Sequence, residues 1–162
     1  MSKKLKIPLL VLACVLFVVV VVLNMKKQYD LKQEEEMAAQ KAIAESISNL
    51  TQINVDGFIQ LLSSEDTKIV LAASLECPHC TALKPKINEL AKSLNVEINY
   101  LELSTMTQEE QNKFYGSNEF LKTNTSIPLV MAIRNNEVID SFVGNVEKEQ
   151  VEAFLRKNLD IK

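Results

Sequence analysis

The sequence predicts one α/β domain, a central mixed sheet flanked by helices, behind a single N-terminal transmembrane helix and a helical stalk. Three observations predict it. An uninterrupted apolar run at residues 7–23 has no place in a water-soluble core. The following residues, 26–50, are charged and rich in Ala, Gln, Glu and Lys, with no Gly or Pro. From residue 51 onward, strand-like and helix-like apolar periods alternate. The expected organisation is a cytoplasmic tip and anchor at residues 1–25, a stalk at 26–50 and the domain at 51–162.

A Val-rich anchor is a poor helix in water, but in lipid the backbone groups must bond one another and a helix results. Pro8 stands in the first turn, where a missing N–H costs little. Lys3, Lys4 and Lys6 precede the run and Lys26 and Lys27 follow it. That excess places the N-terminus in the cytoplasm and the domain outside the cell membrane. Leu23-Asn24-Met25-Lys26 offers no small-residue cleavage site, which argues against a removed signal. Val11-Leu12-Ala13-Cys14 has the spacing of a lipidated cysteine, yet the chain stays apolar to Leu23, so a buried membrane Cys14 is the better reading. In the stalk, Ile43, Ile47 and Leu50 recur at helical spacing. A solvated helix is expected, because about two heptads are too few to argue a dimerising coil.

Within the domain, Ile53-Asn54-Val55 reads as a short strand, and Asp56 as the N-cap of a helix carrying Phe58, Ile59, Leu61 and Leu62. Ile69-Val70-Leu71-Ala72-Ala73 is continuously apolar, as a strand buried on both faces requires. The next helical stripe is Leu83, Ile87, Leu90, Ala91 and Leu94, and residues 96–103 then alternate as a second strand. Strand, helix, strand in that order is a right-handed parallel crossover. Residues 107–121 read as one polar helix with Phe114, Tyr115, Phe120 and Leu121 on its apolar side, more in keeping with packing on the sheet than with exposure. Residues 129–133 and 137–143 form a hairpin across Arg134-Asn135-Asn136. Gly144 ends it, and residues 146–159 close the domain with an amphipathic helix.

Scarce residues limit the chemistry. The formal net charge is −3 at pH 7, more negative once the leading lysines are set aside, and no basic patch with interleaved aromatics compensates. Nucleic acid is excluded as a partner. Three glycines cannot supply a phosphate-binding loop, and a single histidine, His79, excludes His-rich metal centres. Of three cysteines, Cys77 and Cys80 stand at the end of a buried strand and the start of a helix, as Cys77-Pro78-His79-Cys80. Cys77 at the N-cap would meet free backbone N–H groups and the positive helix end, which favour a thiolate. Pro78 at the first helical position presets φ. His79 adds a partly protonated neighbour, and Cys80 lies one turn further in, close enough to close a disulfide ring. A zinc site would need two further Cys or His ligands, which the domain lacks. Redox chemistry without metal or cofactor is the reading.

From about Ile53 to Leu159 the chain resembles the thioredoxin superfamily, and its tetrapeptide matches the CPHC of DsbA-type oxidases. Pro85 stands where that family kinks its active-site helix, and Ile127-Pro128 is similar to its cis-proline, so three of the four prolines fall on family positions. The resemblance implies that Cys77 exchanges with substrate sulfur, Cys80 resolves the mixed disulfide and His79 tunes Cys77. It implies too that Ile127 pairs its backbone with an extended substrate chain beside Pro128. Two positions depart from the pattern. Leu71 stands where the family usually buries an acid, so proton transfer at Cys80 would need water or another group. Glu76 replaces the usual aromatic before Cys77, and its carboxylate opposes a thiolate there.

The function expected is a membrane-anchored thiol-disulfide oxidoreductase that forms or isomerises disulfides in exported, cysteine-containing proteins, of the kind resembling accessory proteins of bacteriocin export. An unidentified membrane redox partner would recycle it. The alternatives are an extracytoplasmic reductase fed by a membrane electron carrier, and a non-catalytic binding module whose CxxC is a structural disulfide.

Overall fold

The computed structural model describes residues 3–161, with side chains from Leu16 onward. It divides into two compact units, residues 1–45 and 46–162. The first consists of one helix, α1 (Lys3–Ser46), with exposed apolar side chains from Leu16 to Leu23. Among the described residues no helix is long and apolar enough to cross a membrane. The side chains of residues 7–15, the larger part of the expected span, lie outside the described residues, as does Cys14.

The second unit holds a five-stranded sheet: β1 (Thr51–Ile53), β2 (Lys68–Ala73), β3 (Ile98–Glu102), β4 (Leu129–Arg134) and β5 (Glu137–Val143), in the order β1-β3-β2-β4-β5. β1, β3 and β2 run parallel, while β4 is antiparallel to β2 and β5 to β4. The sheet is mixed, as expected. The central strand β2 explains its own composition. Ile69, Leu71 and Ala73 face one core with Leu83 and Ile87 of α3 (Pro78–Leu94) and Val151 and Leu155 of α6 (Lys148–Asn158). Val70 and Ala72 face a second core with Phe58 of α2 (Val55–Leu62) and Phe114 of α4 (Gln108–Gly116). With both faces covered, the buried residues Ile69 to Ala73 are all apolar.

Several boundaries differ from expectation. The first strand is Thr51–Ile53, and the N-cap of α2 is Asn54 rather than Asp56, because the Asn54 side chain accepts the Gly57 N–H at 2.8 Å. Ile47 and Leu50, which continue the stalk's stripe in the sequence, pack against the first core. The single helix expected at 107–121 is two, α4 and α5 (Glu119–Thr123). Asn118 interrupts it in extended conformation (φ −150°, ψ 144°), and its side chain accepts the Phe120 N–H at 2.8 Å to start α5. Phe114 is buried edge-on against the Phe58 ring (5.0 Å) and the Tyr115 ring (4.9 Å), so this aromatic face is packing surface. The hairpin turn has Asn135 and Asn136 at φ 53° and 64°, the left-handed pair that suits right-twisted strands. A bulge between Ala132 and Ile133 bends the same hairpin.

Candidate active site

The site lies where β2 passes into α3. Cys77 is the N-cap of α3 (φ −94°, ψ 115°), with Pro78 in the first turn. Its Sγ accepts the Cys80 N–H at 3.3 Å, so a donor left over at the helix start points at sulfur. Glu76, Pro78 and His79 are exposed, Cys77 is half-buried and Cys80 is fully buried. Both sulfurs are free thiols. Burial, with a hydrogen bond that the Cys80 thiol donates to Cys77, pushes the Cys80 thiol up to about 12, while a hydrogen bond with the Ser74 backbone and the charge of Lys84 act in the opposite direction. One sulfur is thus open to solvent and the other is held as a thiol inside the protein.

The opposite wall comes from the chain before β4. The Ile127–Pro128 peptide is cis, and the Ile127 carbonyl lies 4.0 Å from the Cys77 Sγ. The Gly144 N–H bonds the Pro128 carbonyl at 2.9 Å, which ties this corner to the end of β5. Beside it a shallow groove of about 210 Å³ is lined by Glu76, Leu103, Ser104, Tyr115, Thr125 and Ile127. The structure therefore brings Cys77, Cys80, Ile127 and Pro128 together, with Pro78, Glu76 and His79 on the rim. Pro85 stands inside α3, unable to donate to the carbonyl of Thr81.

Leu71 is fully buried, as its strand requires. A buried acid does stand on the neighbouring strand. Glu102, at the end of β3, accepts the backbone N–H groups of Leu75 and Ser104, each at 3.0 Å, and the hydroxyls of Ser104 and Tyr100. Burial alone would raise its carboxyl, but these donors more than offset it and hold the group below the usual range. Tyr100 is pushed well above its ordinary value by burial and by its bond to Glu102. Lys84 of α3, 2% exposed, places its Nζ 3.5 Å from Glu102 Oε2 and 4.8 Å from the Tyr100 ring centre. These three residues escaped the reading of the sequence, although a signal was present. Lys84 interrupts the buried side of α3 between Leu83 and Ile87, and Glu102 shares the parity of Ile98 and Tyr100. Among the described residues, no group of three or more Cys, His, Asp or Glu is arranged to hold a metal ion.

The family model described as Thioredoxin matches residues 47–157. The chain belongs to the thioredoxin family. Members of this family carry their redox group as a disulfide within the protein and use no separate cofactor. The mitochondrial thioredoxins of Mus musculus and Bos taurus are 48% and 46% identical to the chain over 33 residues, and the matched stretch is 20% of this chain and 20% of each relative. Among solved structures, the thioredoxin from Aeropyrum pernix aligns with a TM-score of 0.52 at 21% identity, covering 65% of this chain and 83% of that one. Mitochondrial thioredoxin 3 from Saccharomyces cerevisiae, in its oxidised form, aligns with a TM-score of 0.52 at 14% identity, covering 69% and 98%. At such identities the structural likeness establishes the thioredoxin fold.

Proposed function

We propose that the chain is a membrane-anchored thiol-disulfide oxidoreductase whose thioredoxin domain works outside the cell membrane, forming or isomerising disulfides in exported proteins. The observation that carries the reading is the asymmetry of the two sulfurs. Cys77 is half-buried at a helix N-terminus with its Sγ accepting an N–H, while Cys80 is fully buried one turn further in. An accessible sulfur that exchanges and a shielded one that resolves is what a dithiol-disulfide cycle needs. In that cycle an extended substrate chain lies against Ile127 and Pro128, and His79 on the rim supports the Cys77 anion. The anchor rests on the apolar run at residues 7–23 and the lysines before it, and the outward orientation on their charge bias. The substrates are cysteine-containing exported proteins or peptides, and a membrane redox partner resets the pair.

A second reading, an extracytoplasmic reductase fed by a membrane electron carrier, is favoured by Glu76. It places an exposed carboxylate beside the redox pair, where DsbA-like oxidases are resembled least. The deciding experiment is the reduction potential of the Cys77–Cys80 pair in the full chain, held in detergent and equilibrated against glutathione buffers. A pair more oxidising than glutathione supports the oxidase or isomerase, and a strongly reducing one supports the reductase. If no interconversion occurs at any buffer ratio, the oxidoreductase reading fails.

A further inference from the structure

The buried cation Lys84 has a counter-charge but no hydrogen-bond acceptor. Among the described residues its Nζ is the buried side-chain polar atom left without a hydrogen-bond partner. An ammonium group carries three donors, and leaving them unused inside a protein is costly. Glu102, 3.5 Å away, is already engaged by the Leu75 and Ser104 N–H groups and by two hydroxyls, so it neutralises Lys84 without satisfying it. An acceptor is therefore missing, and Lys84 stands one helical turn after Cys80 on α3, the spacing at which side chains become neighbours. The thiol form of Cys80 is a poor acceptor, whereas its thiolate is a strong one.

We propose that Lys84 is the positioning charge for the resolving step: it stabilises the Cys80 thiolate that attacks Cys77, in place of the acid that Leu71 displaces. The proposal rests on the oxidoreductase reading. In the step, Cys80 loses its proton and the thiolate attacks the Cys77 Sγ of a mixed disulfide. The bond from Cys77 to the substrate sulfur breaks, and its electron pair leaves on that sulfur, which takes up a proton through water. Net, the Cys80 thiol and the mixed disulfide become the Cys77–Cys80 disulfide and a substrate thiol. In this direction two electrons pass from the protein to the substrate disulfide. When the protein forms a disulfide the same step runs backwards: the substrate thiolate attacks Cys77 of the Cys77–Cys80 disulfide, and Cys80 leaves as the thiolate that Lys84 stabilises. Glu102 remains an anion throughout, since every contact it makes favours its charge. It sets how much of the Lys84 charge Cys80 experiences.

Two groups favour the Cys80 thiolate, a hydrogen bond with the neutral Ser74 backbone and the charge of Lys84, so Lys84 is the charged one. The Cys77 thiol lies before it on the same turn, and Lys84 follows on α3. Tyr100 and Glu102 come from β3. From β2, β4 and α6 the same core receives only apolar side chains, among them Leu71, Val130 and Val151. Lys84 is then the one positive charge buried in this core among the described residues.

The test uses the reduced full chain in detergent and an aromatic disulfide, 5,5′-dithiobis(2-nitrobenzoate). Attack by Cys77 releases one coloured thiolate, and resolution by Cys80 releases a second, with the Cys80 proton passing to buffer. Two phases are expected in the wild-type chain, and Cys80→Ser should abolish the second. Lys84→Met should leave the first phase unchanged and slow the second at least ~10-fold, with its rise displaced to higher pH. Glu102→Gln removes the anion that competes for Lys84 and should speed the second phase. A merely structural role would slow the second phase in both variants, so opposite signs support the assignment. An unchanged second phase in Lys84→Met overturns the inference and leaves the oxidoreductase reading standing. Should Lys84→Met fail to fold, a Glu102→Gln second phase that is slower than or equal to wild type overturns it. A wild-type chain that releases no coloured thiolate at all from Cys77 overturns both.

Discussion

Separating Lys84 from Glu102 should be far more damaging than removing both charges together. The carboxylate, itself 7% exposed, accepts from two backbone N–H groups and two hydroxyls and lies 3.5 Å from the ammonium group of the buried Lys84. Glu102→Gln keeps the volume but leaves Lys84 as an uncompensated charge, and Lys84→Met leaves the carboxylate without its cation. Breaking a buried pair from one side costs about 3–5 kcal/mol. For a domain of this size that lowers Tm by roughly 12–20 °C. The double variant Lys84→Met/Glu102→Gln restores neutrality, and its Gln carbonyl still accepts from the loop. It should lose at most about 2 kcal/mol, since an apolar replacement of a whole buried pair is often neutral. The expected coupling is therefore at least ~4 kcal/mol, of the sign that makes the double variant more stable than the sum of the singles. Calorimetry and urea unfolding of the full chain in detergent, kept reduced throughout, measure all four corners of the cycle. Single costs that add to within ~0.5 kcal/mol would refute the claim that these charges form one unit.

The remaining predictions concern the same unit, the buried sulfur and the hairpin. Because Glu102 is held below its ordinary value, its contribution is present above the unfolded carboxyl range, near pH ~4.3, and is lost as pH falls through the folded value. Tm should fall in acid below about pH 4, and Glu102→Gln should flatten that limb; equal slopes would contradict it. With the Cys80 thiol pushed up to about 12, brief iodoacetamide treatment at neutral pH, followed by peptide mapping, should label Cys77 and spare Cys80. Comparable labelling of both would refute the burial argument, and an inert Cys77 would favour a non-catalytic module. Asn135, at φ 53°, should lose about 1 kcal/mol on change to Ala and recover it on change to Gly, read from urea midpoints.

The elements were legible because their apolar patterns have one physical cause each. The apolar run of β2 could only be a strand covered on both faces, and the left-handed turn was written in Asn135-Asn136. The reactive tetrapeptide announced itself because Pro78 and the two cysteines have no better use at a strand-to-helix turn. Boundaries were less legible, since a cap is decided by a single hydrogen bond. Asn54 wins over Asp56, and Asn118 divides one expected helix into two, through contacts of 2.8 Å that apolar periodicity does not encode. The buried charges were missed for a different reason. Lys84 and Glu102 lie 18 residues apart on different elements, and each looks like a solvated side chain until packing brings them together. Leu71 marked an absence, but nothing along the chain said which strand would supply the missing group.

Under the proposed function the clients are exported chains not yet folded, and the bent hairpin then has a consequence. Such a chain carries unpaired backbone groups and will add itself to any open strand it meets. At one border the sheet offers β1, only three residues long. At the other it offers β5, whose Asp140 side chain is occupied by Lys157 at 2.9 Å and Asn158 at 3.0 Å, and whose partner strand is distorted at Ala132 and Ile133. Neither border is a straight, apolar template. A client is thereby discouraged from lodging along the sheet, where it would be retained without reacting. In the proposed cycle extended binding is left to the corner at Ile127, whose carbonyl lies 4.0 Å from the Cys77 sulfur, so that contact with the backbone and contact with Cys77 would be the same event.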